Sequence, residues 1–86
     1  MTTFTYQIND PMGFHARPVG FLAKFANSQK AVISIQFNGQ SADARRLYQV
    51  LGLNIKTNDI MTIQIDGEQE EVIKEQILTL FKDNNL

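Results

Sequence analysis

The sequence predicts an α+β fold, an open-faced sandwich in which a four-stranded, mostly antiparallel sheet carries three helices on one face in the order β-α-β-β-α-β-α. Two observations predict it. Stretches in which apolar residues alternate with polar ones are interleaved with stretches of helical spacing, and burying one face of each strand against one stripe of each helix needs two layers. The dipeptide Asn38-Gly39, set between two short candidate strands, is the strongest two-residue hairpin signal available and makes that pair antiparallel.

The elements follow in order. "TTFTYQI" places Phe4, Tyr6 and Ile8 on one side and Thr3, Thr5 and Gln7 on the other, the period of a half-buried strand, and Asn9, Asp10 and Pro11 end it. From Ala16 to about Ser28, Phe21, Leu22, Phe25 and Ala26 fit a helix with one buried face, with Pro18 in its opening turn and Asn27-Ser28-Gln29 as its frayed end. "AVISIQF" alternates again, with Ile33, Ile35 and Phe37 opposite Val32, and "QSADA" is its hairpin partner. Leu47, Tyr48, Val50, Leu51 and Leu53 follow helical spacing, and Gly52 or Asn54 stops a short helix. "IMTIQI" resumes period two and closes at Asp66-Gly67. A last helix then runs from Glu68, with Val72, Ile73, Ile77, Leu80 and Phe81 inward and Glu68, Glu70 and Glu71 at the positive end of its dipole.

Composition narrows the function. A chain of 86 residues supports a single domain, residues 1–86, with one modest core, and 43% apolar with 20% charged residues is ordinary for a folding globular chain. No run reaches the roughly 18 consecutive apolar residues of a membrane span, and "MTTFTYQIND" lacks the basic flank and apolar core of a signal peptide, so no membrane insertion and a cytosolic location are expected. The absence of cysteine excludes thiolate chemistry and disulfides, and a single histidine leaves no dedicated metal site. Eight basic residues face nine acidic ones, with Arg45-Arg46 the sole adjacent basic pair, which is not the footprint of a nucleic-acid binder.

The chemistry-bearing stretch is "GFHARPVG", Gly13 to Gly20. With a helix beginning at Ala16, His15 is the N-cap, beside backbone N–H groups that have no intrahelical acceptor. The positive end of the dipole disfavours imidazolium, which leaves one ring nitrogen free to attack an electrophile. A phosphoryl group on that nitrogen meets the same N–H groups and the dipole, worth about 0.3–1 kcal/mol. Arg17 adds a charge-assisted donor fork. Pro18 has no N–H to leave unsatisfied and its fixed φ stiffens the turn. The competing reading is a capping histidine that performs no chemistry.

The whole chain resembles the HPr family, the histidine-containing phosphocarriers of the bacterial phosphoenolpyruvate-dependent sugar phosphotransferase system. The resemblance rests on "GFHARP" after a first strand, the hairpin "FNGQSA", the short-helix segment "RRLYQVLGL" and "TIQIDGEQEEVI" before the last helix. It implies the HPr-like fold. It also implies that His15 accepts a phosphoryl group on Nδ1 from enzyme I and passes it to enzyme IIA proteins. Arg17 then steadies the phosphate, Pro18 supports the turn, the backbone of Ala16 and Arg17 donates to phosphate oxygens, and no cofactor is required. The family's partner rim falls here on Gly20, Phe21 and Lys24 and on Leu47, Tyr48, Gln49, Leu51 and Gly52. For Phe21, Leu47 and Leu51, core packing is the equal alternative, because periodicity does not separate a rim from a core.

Three positions depart from the family pattern. Phe14 replaces a usual aliphatic residue and Val19 a usual small one, which puts helix packing or partner approach near His15 in question. Arg46 stands where members from low-GC Gram-positive bacteria carry a kinase-regulated serine, so the serine-kinase branch is expected to be missing. The rival to a carrier is an HPr-like regulatory module that docks to a transcription factor or metabolic enzyme, and the retention of His15, Arg17 and Pro18 together argues against it. A monomer is expected, since a carrier presents one small face to successive partners.

Overall fold

The computed structural model describes all 86 residues. Strands β1 (Thr2–Gln7), β2 (Val32–Phe37), β3 (Gln40–Asp43) and β4 (Ile60–Asp66) alternate with helices α1 (Ala16–Asn27), α2 (Leu47–Leu51) and α3 (Glu70–Asp83) in the predicted order. The sheet order is β1-β4-β2-β3 and every neighbouring pair is antiparallel. β1 and β2 therefore flank β4 and are joined by α1, which crosses the inner face.

Register explains the core. Phe4 pairs with Ile63 and Tyr6 with Met61, Ile35 lies opposite both Ile63 and Ala42, and Ile33 opposite Ile65, so these side chains share one face under the helices. Leu22 and Ala26 of α1, Val50 of α2, and Ile73, Ile77 and Phe81 of α3 close onto it. The opposite face carries Thr3, Thr5, Ser34, Gln36, Thr62 and Gln64 and is left to solvent; Gln36 Nε2 donates to Gln64 Oε1 across it at 2.8 Å. At the hairpin, Phe37 pairs with Gln40 and both turn residues are left-handed, Asn38 at φ 53° and Gly39 at φ 78°, as a two-residue turn matching sheet twist requires.

The structure moves four boundaries or faces. α3 begins at Glu70, two residues later than expected, because Gln69 is left-handed at φ 58° and Glu68 lies outside the helix. The buried stripe of α3 is Ile73, Ile77 and Phe81, so Val72 points outward and is 53% exposed. Phe21 is 46% exposed, and the buried stripe of α1 instead includes Val19 and Ala23. The end of α1 is not frayed: Asn27 Nδ2 donates to the Ala23 carbonyl at 2.8 Å and Ser28 Oγ to Phe25 at 2.6 Å, so side chains satisfy its last carbonyls. After α2, Gly52 is right-handed and Asn54, at φ 57°, turns the chain. No helix is long and apolar enough to cross a membrane.

Candidate functional site

The loop between β1 and α1 is built by a tetrapeptide whose residues each suit their turn position. Asp10-Pro11-Met12-Gly13 has Asp first, Pro second and Gly fourth, the preferences of a type I turn. The Gly13 amide donates to the Asp10 carbonyl at 2.8 Å, closing it, and the Met12 amide donates to Asp10 Oδ1 at 2.9 Å. The Thr57 hydroxyl donates to the same Asp10 carbonyl, and the Asp10 amide to the Leu86 main-chain oxygen at 3.2 Å. Gly13 is left-handed at φ 72°, and a Cβ there would stand 2.8 Å from the Ile55 carbonyl oxygen, so the turn lies directly on the chain at Ile55 and Lys56.

Phe14 then plunges inward. It is 5% exposed, its amide donates to the Ile55 carbonyl at 3.0 Å, and its ring meets Phe81 edge-on with centroids 6.0 Å apart. Val19 is fully buried. Both side chains are thus packed into the core, and neither is exposed beside His15.

His15 caps α1 in extended geometry, with no side-chain bond to the helix. The first intrahelical bond runs from the Val19 amide to the His15 carbonyl at 3.1 Å, and Pro18 has no N–H, so Ala16 and Arg17 present amides with no backbone acceptor. Arg17 is exposed and makes no ion pair or side-chain hydrogen bond. The site residues His15, Arg17 and Pro18 line one depression, together with Asp10, Met12, Asp83, Asn84 and Asn85.

Asp10 is the participant that sequence reasoning missed. Its Oδ2 lies 3.1 Å from His15 Nε2, with side-chain exposures of 26% for His15 and 16% for Asp10. The Met12 amide and then the His15 ring hold the Asp10 carboxyl below the usual carboxylate range. An ionised carboxylate only accepts, so the proton in this contact sits on Nε2, and in a neutral ring the lone pair sits on Nδ1. No protein donor engages Nδ1, and it is not sealed from solvent. The available signal was the turn signature Asp-Pro-x-Gly, which sets Asp10 back toward the start of the following helix.

The candidate partner rim divides. Phe21, Lys24, Tyr48, Gln49 and Gly52 are exposed, Tyr48 at 84%, and Gly20 is half-buried with open space where a side chain would point. Leu47 and Leu51 are half-buried and pack against the core. Leu47, Tyr48 and Gln49 share a shallow cleft with Asn27, Arg45 and Arg46, separate from the depression at His15. Arg46 caps α2 without a side-chain bond, whereas Arg45 is held by Asp43, with Nη2 to Oδ2 at 2.8 Å.

Comparison with known proteins agrees with this arrangement. Residues 2–83 match the family model described as the PTS HPr component phosphorylation site. The chain is 29% identical over 86 residues to the phosphocarrier protein HPr of Lysinibacillus sphaericus, covering 100% of this chain and 98% of that one. It is 35% identical over 72 residues to that of Mycoplasma genitalium, covering 83% and 82%. Among solved structures, a histidine-containing phosphocarrier protein of Mycoplasma superposes with a TM-score of 0.94 at 32% identity over 99% of this chain and 97% of that one. HPr from Bacillus anthracis gives 0.83 at 25% over 92% and 94%. A lone histidine at a helix start, a matching sheet topology and end-to-end similarity converge: the chain belongs to the HPr family of phosphocarriers of the phosphotransferase system.

Proposed function

We propose that this single domain is a phosphoryl carrier that accepts phosphate on Nδ1 of His15 from enzyme I and delivers it to enzyme IIA of the sugar phosphotransferase system. The observation that carries the reading is the solvent-open Nδ1 at the N-cap of α1, beside the acceptor-free amides of Ala16 and Arg17 and the unpaired Arg17 guanidinium. Transfer between two histidines needs alignment and charge stabilisation more than acid–base groups, and this sparse site offers those. Arg17 and the two amides receive the phosphate oxygens, while Pro18, buried in the first turn, braces them.

Docking of both partners falls to the exposed rim of Phe21, Lys24, Tyr48, Gln49 and Gly52, with Gly20 allowing close approach and Leu47 and Leu51 backing the rim from the core. A small apolar patch ringed by polar groups suits partners that must leave quickly. The carrier works as a cytosolic monomer. Arg46 offers no hydroxyl, so a serine kinase acting at this position has no acceptor; stoichiometric phosphate on any hydroxyl after incubation with such a kinase and ATP would overturn this.

The deciding experiment is incubation with phosphoenolpyruvate and enzyme I, followed by intact mass before and after acid treatment. Wild type gains one acid-labile phosphate and His15→Ala gains none. A wild-type chain left unmodified by several enzymes I would replace the carrier reading with a docking-only module.

A further inference from the structure

We infer that Asp10 is a positioning residue for phosphoryl transfer: its carboxylate holds the proton of His15 on Nε2, so that Nδ1 presents its lone pair to the incoming phosphorus. The inference rests on the carrier reading above and adds a residue to it.

The geometry is specific. The two carboxylate oxygens have separate tasks: Oδ1 accepts the Met12 amide at 2.9 Å, which fixes the carboxylate plane, and Oδ2 faces His15 Nε2 at 3.1 Å. The carboxylate is itself located by the Asp10 carbonyl, which accepts from Gly13 and Thr57, and by the Asp10 amide, which donates to Leu86. A histidine whose distal nitrogen donates to a fixed carboxylate has its tautomer and ring orientation set together. The charged groups that share the depression with the ring are Asp10, Arg17 and Asp83, and only Asp10 is in hydrogen-bond contact with it.

The transfer step balances without proton movement. The P–N bond to the donor histidine breaks as the P–Nδ1 bond forms, and the electron pair of the broken bond stays with the donor. The His15 ring becomes a phospho-imidazolium whose positive charge is shared with the Nε2–H that faces the Asp10 carboxylate. On delivery the P–Nδ1 bond breaks, its pair returns to Nδ1, and the ring is again neutral with its proton on Nε2. The carboxylate therefore meets more positive charge in the phosphorylated state and at the accepting transition state than in the resting ring, which favours the accepting step.

Two substitutions separate this role from a purely structural one. Asp10→Asn keeps one oxygen for the Met12 amide, preserving the turn, but turns an NH2 group toward Nε2; that nitrogen must then accept, and the proton moves to Nδ1, where it blocks attack. Asp10→Ala loses the turn contact yet leaves the ring free to choose its tautomer in water. A positioning role therefore ranks transfer rates wild type, then Ala, then Asn, with Asn lower than wild type by about 10–100-fold. A role confined to holding the turn gives the opposite order of the two variants. Because His15 is the only histidine, long-range 1H–15N NMR reads its tautomer directly. The expected spectra place the proton on Nε2 in wild type and on Nδ1 in Asp10→Asn. Wild-type rates in both variants, an Ala variant slower than Asn, or an Nε2–H ring in Asp10→Asn would each overturn the inference. If wild type takes no phosphate at all, the carrier reading fails, while the tautomer spectra still decide what Asp10 does to the ring.

Discussion

Arg46 occupies the N-cap of α2 and has nothing to offer it. Its side chain makes no capping bond, the five-residue helix has no acidic residue in its first turn, and a positive charge at that end opposes the helix dipole. Arg46→Ser supplies a hydroxyl that can accept from the second or third amide of α2. Thermal or urea denaturation should show a gain of about 0.5–1 kcal/mol, from the added cap and the removed charge. No gain would mean that the core packing of Val50, with Leu47 and Leu51 beside it, sets the stability of α2 whatever stands at its cap. Legibility at this scale follows contact order. His15, Ala16, Arg17 and Pro18 are contiguous, so the meaning of each was readable from its position relative to a helix start. The pairing of Asp10 with His15 depends on how a turn folds back and on a side-chain torsion, neither of which a pattern of apolar spacing encodes.

The turn from Asp10 to Gly13 is the element that aims the histidine. It is wedged between the end of β1 and the chain at Ile55 and Lys56, and Gly13 makes that fit possible because it combines φ 72° with backbone contacts too close for any Cβ. Gly13→Ala therefore costs about 1–3 kcal/mol from backbone strain, with the clash against the Ile55 carbonyl added. It should also shift the His15 NMR resonances, since Phe14 and His15 must move with the turn. A variant as stable as wild type with unchanged His15 resonances would show that the loop absorbs the change elsewhere. Strands and the hairpin were readable because period two and Asn-Gly are local signals. The start of α3 was not: Gln69 adopts a left-handed conformation unusual for its type, and the carboxylate of Glu70 reaches back to the Gly67 amide at 3.0 Å, so a contact in space sets the boundary. Val72 lies outside because at about 100° per residue it falls well away from the stripe of Ile73, Ile77 and Phe81.

Across the whole molecule, sheet order and the contacts it brings together are what the one-dimensional pattern hid. β1 and α3, far apart in sequence, are clasped where Glu70 Oε1 accepts from the Thr2 hydroxyl at 2.8 Å and meets the Met1 ammonium at 3.0 Å. The Gly67 amide first, then Thr2 and the ammonium, hold the Glu70 carboxyl down at about 2. A carboxyl depressed from the ordinary 4.5 stabilises the fold fully above about 4.5, and this contribution is lost as pH falls toward 2. The stability gap between wild type and Glu70→Gln, read from urea midpoints, should narrow over that window; a constant gap would assign it to packing. Charge is segregated as well. Between Gly13 and Asn58, the stretch that carries α1 and α2, six basic residues accompany one acidic, while the rest of the chain holds two basic and eight acidic. A near-neutral protein therefore carries its basic excess on the stretch that holds α1 and α2 and its acidic excess on the rest, which includes α3. Such a field steers an acidic partner surface toward the rim and is screened within about 10 Å at 0.1 M salt. At subsaturating concentrations, phosphoryl transfer from enzyme I should fall about tenfold or more between low and high salt. Lys24→Glu, exposed on α1, should lower the rate at low salt and flatten its salt dependence. A rate indifferent to salt in both proteins would leave the apolar rim of Phe21 and Tyr48 as the sole source of association.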